Sequence, residues 1–465
     1  MPEVTYFHDI QVGQRFPLTI KRLGINGEGI GYYKRTIVFV KGALPDEVIV
    51  AEVTATAPKY VNAKIHTLRK KSPQRVEPRD ADYYGHVGGI ELEHLSYPAQ
   101  LAFKVDVIRQ SLEKFKPRGY QHYKLRPTIG MAEPYEYRDK AQFQVRELNG
   151  HVAAGLYQEH SHQLVDLKTF STQRPATMQV IRYVVALLEE LKVPIYNEEQ
   201  NSGIVKTLVV RESFSTGHLQ LTFITNSRKL PHKRELLSRI HTKMPQITSI
   251  MQNLNQGRTS LIWGEETFNL AGDDYITETL SGLTFKLSAR AFFQLNPAQT
   301  AKMYALAREA LQLAPHESLV DAYCGVGTIG LSLADTASEV RGMDIVPAAI
   351  ADAQENANLN HIDNAKYEVG KAEELLPQWL AAGFAPDALV VDPPRTGLDQ
   401  ALLHAILDSR PQKFVYISCN PSTLARDLVR LSEVYAVDYI QSIDMFPQTA
   451  RVEAVVRLEK RNIYR

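Results

Sequence analysis

From residue 281 onward, short apolar runs alternate with helix-like stretches. SLVDAYCG precedes TIGLSLADTA, EVRGMDI precedes AAIADAQENANLN, ALVVDPP precedes ALLHAILDS, and KFVYISCN precedes STLARDLVRLSE. Strand followed by helix, repeated, predicts a mostly parallel sheet covered by helices. Functional groups in such a sheet gather beyond the carboxyl ends of its strands, where the strand order reverses. Residues 281–465 are therefore expected to form one α/β domain whose strand ends carry the chemistry.

The rest of the chain reads differently. Residues 1–72 hold the runs RFPLTIKRL, TIVFVKG, DEVIVAEVTA and VNAKIHTLRK, separated by Gly24-Ile25-Asn26-Gly27-Glu28-Gly29 and by Gly42-Ala43-Leu44-Pro45-Asp46. Short strands at this spacing predict a small antiparallel barrel. Lys70-Lys71-Ser72-Pro73-Gln74-Arg75 reads as an exposed linker. Residues 76–280 read as an α+β domain. Helices are expected at Tyr97–Phe115, with Ala99, Leu101, Val105 and Ile108 on one face, at Thr177–Leu191 and at Arg234–Met244. Strands are expected at AQFQVREL, HVAAGLYQ, IVKTLVVRES and LQLTFITN.

Apolar residues at 44% and charged residues at 23% are globular values. No apolar run approaches the ~20 residues that span a bilayer. The start, MPEVTYFHDI, lacks the basic and apolar regions of a secretory leader, so the expectation is a cytoplasmic protein with no membrane partner. Cys324 and Cys419 are the only cysteines, which excludes a four-cysteine metal or iron–sulfur site within the chain. Residues 1–75 carry 12 Lys and Arg against 6 Asp and Glu, while the remainder carries 41 against 46. A basic N-terminal segment on a mildly acidic body fits a surface for a polyanion, and equally an ordinary solvated surface.

Four patches stand at strand ends. Asp321-Ala322-Tyr323-Cys324-Gly325-Val326-Gly327-Thr328-Ile329-Gly330 follows an apolar strand and opens a helix, so its glycines let backbone approach a ligand. Asp344 ends the next strand, 19 residues after Gly325, where a carboxylate can bond ribose hydroxyls. The glycine spacing alone also suits a tight structural turn. With Asp344 it favours an adenosine-type ligand. Asp392-Pro393-Pro394-Arg395-Thr396-Gly397-Leu398 follows another apolar strand, and its prolines fix a rigid loop that holds Asp392.

Tyr416-Ile417-Ser418-Cys419-Asn420-Pro421-Ser422-Thr423 ends a strand and begins a helix. A thiol there can have a lowered pKa and act as a nucleophile, or be an inert buried group. In Phe446-Pro447-Gln448-Thr449-Ala450-Arg451-Val452-Glu453, Glu453 interrupts an apolar run. It is either a partner in an ion pair or a desolvated carboxylate with a raised pKa, suited to proton abstraction.

Together the four patches resemble the RNA (uracil-5-)-methyltransferases, in particular the type with an N-terminal TRAM domain that acts on 23S ribosomal RNA. Phe292-Phe293-Gln294-Leu295-Asn296 matches that family's FxQxN motif. The resemblance covers nearly the whole chain. It implies a C-terminal Rossmann-like S-adenosylmethionine methyltransferase domain at 281–465, an OB-like TRAM barrel at 1–72, and a central α+β RNA-recognition domain at 76–280. It implies that Gln294, Tyr323, Asp344 and Asp392 contact S-adenosylmethionine or shape its pocket. It further implies that Cys419 is the nucleophile and Glu453 the general base. The oligomeric state is not legible in the sequence, and a monomer is the default.

Two departures stand out. Many relatives hold an iron–sulfur cluster through a CxxxxxCGGC stretch, where this chain reads Asp80-Ala81-Asp82-Tyr83-Tyr84-Gly85-His86-Val87-Gly88-Gly89-Ile90. No iron–sulfur cluster and no metal site is expected, since His86 and His94 match no standard spacing. Arg451 stands where relatives often have His. Three alternatives stay open: the same chemistry on a transfer RNA uridine, methylation of an exocyclic nitrogen, and a catalytically degenerate ribosome-assembly factor. Arg395, where amino-methyltransferases carry an aromatic residue, and the cysteine itself speak against the second.

Overall fold

The computed structural model describes residues 10–159 and 161–461. The opening MPEVTYFHD, read above for a leader, lies outside the described residues. Strands β1 (Arg15–Thr19), β2 (Arg22–Leu23), β3 (Gly29–Tyr33), β4 (Thr36–Lys41), β5 (Val48–Thr56) and β6 (Tyr60–Lys70) form a sheet in the order β1-β5-β6-β4-β3-β2. β1 runs almost directly into β2, and the Lys21 amide bonds the Ile30 carbonyl at 2.8 Å. The sheet thereby closes on itself as a small barrel. Alternate residues point inward, so Phe16, Leu18, Val38, Val40, Ile49 and Val61 fill the interior.

The stretch 70–75 is not a free linker. The Arg75 guanidinium grips the fully buried Glu47 carboxylate, with Nε 2.6 Å from Oε1, and Ser72 is buried as well. A buried carboxylate needs a partner, and Arg75 supplies it, pinning the end of the barrel.

Helix α1 (Tyr97–Phe115) has the expected bounds but a different buried face: Gln100, Phe103, Lys104, Val107, Ile108, Ser111 and Leu112. Strand β7 (Lys124–Ile129) follows it. Both fall in the range expected as the central domain, and neither joins it. β7 pairs in parallel with the strand Tyr435–Ile443, and α1 lies on the same C-terminal sheet.

The central unit is a seven-stranded sheet backed on one face by α2 (Pro175–Glu190) and α3 (Lys233–Lys243). Its strands are β8 (Lys140–Leu148), β9 (His151–Tyr157), β10 (Leu164–Asp166), β11 (Val205–Glu212), β12 (Leu219–Thr225), β13 (Ile247–Leu254) and β14 (Glu266–Gly272), in the order β10-β9-β8-β11-β12-β13-β14. Where relatives carry the CxxxxxCGGC stretch, Val87 and Ile90 join Phe170 in this apolar core. Beside them, Asp80 and Glu93 are buried and take hydrogen bonds from Ser171, its amide to Asp80 and its hydroxyl to Glu93. Among the described residues, no group of three or more His, Cys, Asp and Glu is placed to hold a metal.

A hairpin of β15 (Tyr275–Leu280) and β16 (Leu283–Ser288) leads to α4 (Pro297–Leu311). Then β17 (Ser318–Ala322), α5 (Thr328–Leu333), β18 (Glu339–Asp344), α6 (Pro347–Leu359), β19 (Ala365–Val369), α7 (Ala372–Ala381), β20 (Ala388–Val391), α8 (Gln400–Ser409), β21 (Lys413–Ser418), α9 (Pro421–Leu431), β22 (Tyr435–Ile443) and β23 (Glu453–Lys460) follow. The sheet order is β19-β18-β17-β20-β21-β23-β22-β7. β20 and β21 read as unbroken apolar runs because helices cover both faces. The chain leaves β17 toward β18 on one side and returns to β20 on the other, so strand order reverses between β17 and β20. β23 alone runs antiparallel to its neighbour β21, and its beginning therefore lies at the same edge as the ends of β17, β18, β20 and β21.

Candidate active site at the strand ends of the C-terminal sheet

All four patches converge on that edge. Between β17 and α5, Tyr323, Gly325 and Gly327 have positive φ. The Asp344 carboxylate accepts the Gly325 amide at 3.1 Å and the Val346 amide at 2.9 Å, which ties the glycine loop to the end of β18. Asp321 is fully buried, accepts the Gly330 amide at 2.7 Å, and has its pKa raised to about 8, chiefly by burial.

A cavity of about 450 Å³ opens in front of this loop, lined by Tyr323, Asp344, Ile345, Lys371, Pro394 and Arg426 among others. A side chain added at Gly325 would meet no atom within 4 Å, so the backbone there faces open space. Ile345 lines the cavity yet is 66% exposed, an apolar surface ready to be covered. A nucleoside with a charged tail suits this mix: a carboxylate for ribose hydroxyls, apolar surface for a ring, and open backbone. Of the four residues expected at the cofactor, Tyr323 and Asp344 line the cavity, while Gln294 and Asp392 do not.

The second half of the site is a smaller cavity of about 290 Å³. Cys419 lies one residue past β21 and Glu453 opens β23. The pairing Ser418 with Ala454 puts them opposite each other at the next step of the ladder, and opposite residues of an antiparallel pair project to the same side. Cys419 lines the cavity together with Arg395, Asn420 and Arg451. Ile25 and Asn26 of the barrel close it from above, beside Val107 and Ser111 of α1. The barrel loop can lie this close because Gly27 is in the left-handed region, where a Cβ would run into Leu92 at 2.7 Å.

The loops are fixed by their own side chains. Asn420 caps α9 through the Ser422 amide and donates to the Arg395 carbonyl at 2.8 Å, joining the cysteine loop to the Asp-Pro-Pro loop. Asp427 takes the Leu398 amide and the Tyr416 hydroxyl, both at 2.9 Å. The loop before Glu453 hangs from α1. Lys104, wholly buried, donates to Asp444 (2.5 Å), to the Arg451 carbonyl (2.7 Å) and to the Phe446 carbonyl (3.1 Å). Gln100 exchanges two hydrogen bonds with Gln448, and the Tyr97 hydroxyl donates to the other oxygen of Asp444. No motif announced Lys104, Gln100 or Asp444. The available signal was that Gln100, Lys104, Val107 and Ser111 fall on one stripe of a helix.

Burial sets the proton affinities. Glu453 is 6% exposed, and burial drives its pKa well above the carboxylate range, with Asp392 adding to the effect and Arg395 and Lys104 opposing it. Burial raises Asp392 to about 7. Cys419 is half-buried, and its thiol is pushed up to about 12 by burial first, then by Glu453 and Asp392, against Arg395. The lowered thiol pKa expected for a residue near a helix start is therefore absent in the free protein. Desolvation and two neighbouring carboxyls outweigh the helix N-terminus.

Comparison with known proteins agrees with this geometry. Residues 96–461 match the family described as tRNA (Uracil-5-)-methyltransferase, and residues 10–66 match the TRAM domain. The chain belongs to the RNA uracil-5-methyltransferase family. A protein of Lactiplantibacillus plantarum named as an uncharacterized RNA methyltransferase is 71% identical over 97% of this chain and 94% of its own length. One from Enterococcus faecalis with the same name is 54% identical over 97% and 99%. Among solved structures, the Pyrococcus abyssi tRNA (uracil-54, C5)-methyltransferase in complex with S-adenosyl-L-homocysteine superposes with a TM-score of 0.76 at 26% identity, covering 95% of this chain and 99% of that one. The fold is that of the S-adenosylmethionine-dependent methyltransferases, and the cavity on Tyr323 and Asp344 fits that cofactor.

Proposed function

We propose that this cytoplasmic enzyme methylates C5 of uracil in RNA, with 23S ribosomal RNA as its substrate, Cys419 as nucleophile and Glu453 as general base. The observation that carries the chemistry is the opposition of Cys419 and Glu453 across β21 and β23, with Cys419 lining a cavity flanked by Arg395 and Arg451. C5 of uracil is a weak nucleophile. Attack of the Cys419 sulfur on C6 forms a C–S bond and sends the C5–C6 electron pair toward C5 and O4. S-Adenosylmethionine, when bound, supplies an electrophilic methyl on a sulfonium for that carbon. Glu453 then takes the C5 proton, the C5–C6 double bond re-forms, and the C6–S bond breaks to release Cys419.

The guanidinium groups of Arg395 and Arg451 lower the cost of the charge this creates in a desolvated cavity. A uridine inside RNA structure must leave its stack to reach Cys419. The barrel supports RNA binding with Lys34 and Arg35, exposed at the β3–β4 turn beside the 54% exposed Tyr32.

A transfer RNA substrate is a second reading. It is favoured by the Pyrococcus abyssi enzyme, whose likeness spans 95% of this chain, the barrel largely included. The barrel therefore does not by itself select ribosomal RNA. The deciding experiment measures labelled methyl transferred to unmodified 23S RNA and to bulk transfer RNA, with wild type and Cys419→Ala. Label in 23S RNA that vanishes with Cys419→Ala supports substrate and nucleophile together. Label in transfer RNA alone keeps the mechanism and replaces the substrate. Label in neither sinks the enzyme reading and points to an RNA-binding assembly factor.

A further inference from the structure

We propose that the central domain holds a second nucleotide site, a pocket of about 430 Å³ that takes an unpaired base of the RNA together with its phosphate. The inference deepens the reading above and rests on RNA being the substrate. The pocket opens at the outer end of β8. The Asp139 amide bonds the Leu295 carbonyl at 2.9 Å, so β8 begins against the segment that carries Gln294. Arg146 lies seven residues beyond Asp139, about 20 Å away at the strand rise of ~3.3 Å per residue. The pocket shares no lining residue with either cavity at the strand ends.

Its walls combine flat surfaces with positive charge. The Arg146 guanidinium lies 5.5 Å from the ring centre of Tyr157 and 5.3 Å from that of Tyr196, and Lys206 Nζ lies 4.4 Å from the latter. Arg146 is locked by bonds to the Lys206 carbonyl at 2.9 Å and the Tyr157 hydroxyl at 2.5 Å, yet its buried Nε has no partner. Arg258 adds a third cation from the loop that follows β13. One lining carboxylate, Glu198, stands against these three, and it accepts bonds from Tyr157 and His162. The pocket keeps an excess of positive charge.

Packing alone does not account for its mouth. Leu261 lines the pocket and is 70% exposed, the most exposed of the large apolar side chains described. Its loop is not loose, because the Asn255 amide holds the Leu261 and Ile262 carbonyls at 2.8 and 2.9 Å. An ordered loop thus presents an apolar wedge beside guanidinium and phenol groups. Bases stack on aromatic rings and on guanidinium planes, and phosphates seek the cations beside them. An acidic peptide would use the charge but not the wedge.

The test uses the full chain and a short fluorescein-labelled oligouridylate, read by anisotropy at several salt concentrations. Arg258→Ala/Leu261→Ala and, separately, Tyr157→Ala are compared with wild type, and S-adenosylhomocysteine binding by calorimetry shows that each variant is folded. We expect affinity for the oligonucleotide to fall about tenfold or more, the scale of one lost stacking contact. The salt slope should shrink by about one for the variant lacking Arg258. In methyl transfer to an RNA fragment, KM should rise with kcat unchanged.

Unchanged affinity and salt slope in both variants would overturn the site. Competition by polyglutamate as strong as that by RNA would replace the nucleotide with an acidic peptide. Loss of oligonucleotide binding in variants of a protein that methylates no uracil would leave this pocket standing and remove the function proposed above.

Discussion

Cys419 and Glu453 are 34 residues apart in sequence and face each other one step beyond the Ser418–Ala454 pair of two antiparallel strands. The opposition exists because β23 enters the sheet against the direction of β21. A parallel strand at that place would carry Glu453 to the far edge. The same pairing explains why Glu453 adds to the raised proton affinity of Cys419, since a nearby carboxylate disfavours a desolvated thiolate.

Glu453→Gln should separate the two halves of the reaction. In the proposed mechanism, addition of Cys419 to C6 does not need the base, while release does. The expected result is a loss of about 10²–10⁴-fold in turnover with a covalent protein–RNA adduct that survives denaturing electrophoresis. Absence of the adduct, alongside normal turnover, would remove Glu453 from the mechanism.

Arg395 opposes the rise in proton affinity at both Cys419 and Glu453. The proposed mechanism needs both groups deprotonated, so kcat/KM should climb with pH. Arg395→Gln should move that limb to higher pH, because less positive charge favours the protonated forms. A limb that stays in place would show that other groups control the ionisation.

Lys104 and Asp444 form an ion pair with neither side chain exposed. Lys104→Met leaves a buried carboxylate uncompensated and should cost about 3–5 kcal/mol in urea unfolding. Lys104→Met/Asp444→Leu should recover much of that stability. It should not restore kcat, since the Phe446 and Arg451 carbonyls remain unheld. Full recovery of kcat in the double variant would show that Lys104 only balances charge.

Asp344→Ala removes the acceptor of the Gly325 amide and the carboxylate at the cavity. A hydrogen bond to a charged group contributes about 1.5–3 kcal/mol. Affinity for S-adenosylhomocysteine should fall roughly ten- to a hundredfold by calorimetry, while affinity for RNA holds.

Stability should also depend on pH with a definite sign. Asp392 and Asp321 have native values of about 7 and about 8, above the ordinary aspartate range. The folded chain then keeps protons that the unfolded chain has released, so the unfolding free energy falls as pH rises from about 4 toward 8. A lower Tm at pH 8 than at pH 5.5, with the slope reduced in Asp321→Asn, is the expected outcome. An unchanged slope in that variant would exclude Asp321 as a contributor.

The alternating strand and helix runs after residue 281 made the parallel sheet legible, because period and apolarity are local properties. The glycine loop, Asp344 and Cys419 were legible for the same reason: each lies at the end of a strand. The bounds of α1 were legible as well, but its buried face was not. Lys104 and Gln100 are polar, and apolar periodicity assigns polar residues to solvent. They are buried because the 444–451 loop offers carbonyls and a carboxylate that no local pattern reveals. The 70–75 stretch misled similarly, since a run of charge and proline looks solvated until Glu47 meets Arg75.

The sequence by itself determined the chemistry available to this protein: which strands end in Asp, Cys and Glu, and where glycine lets a ligand touch backbone. Only the tertiary structure decided what meets what. It drew β7 and α1 into the C-terminal sheet, placed Ile25 and Asn26 of the barrel over Cys419, and turned β23 so that its first residue faces that cysteine. These are contacts between residues distant in sequence. They are selected by burial of shared apolar surface and by pairing of buried polar groups, which no single segment of the chain encodes alone.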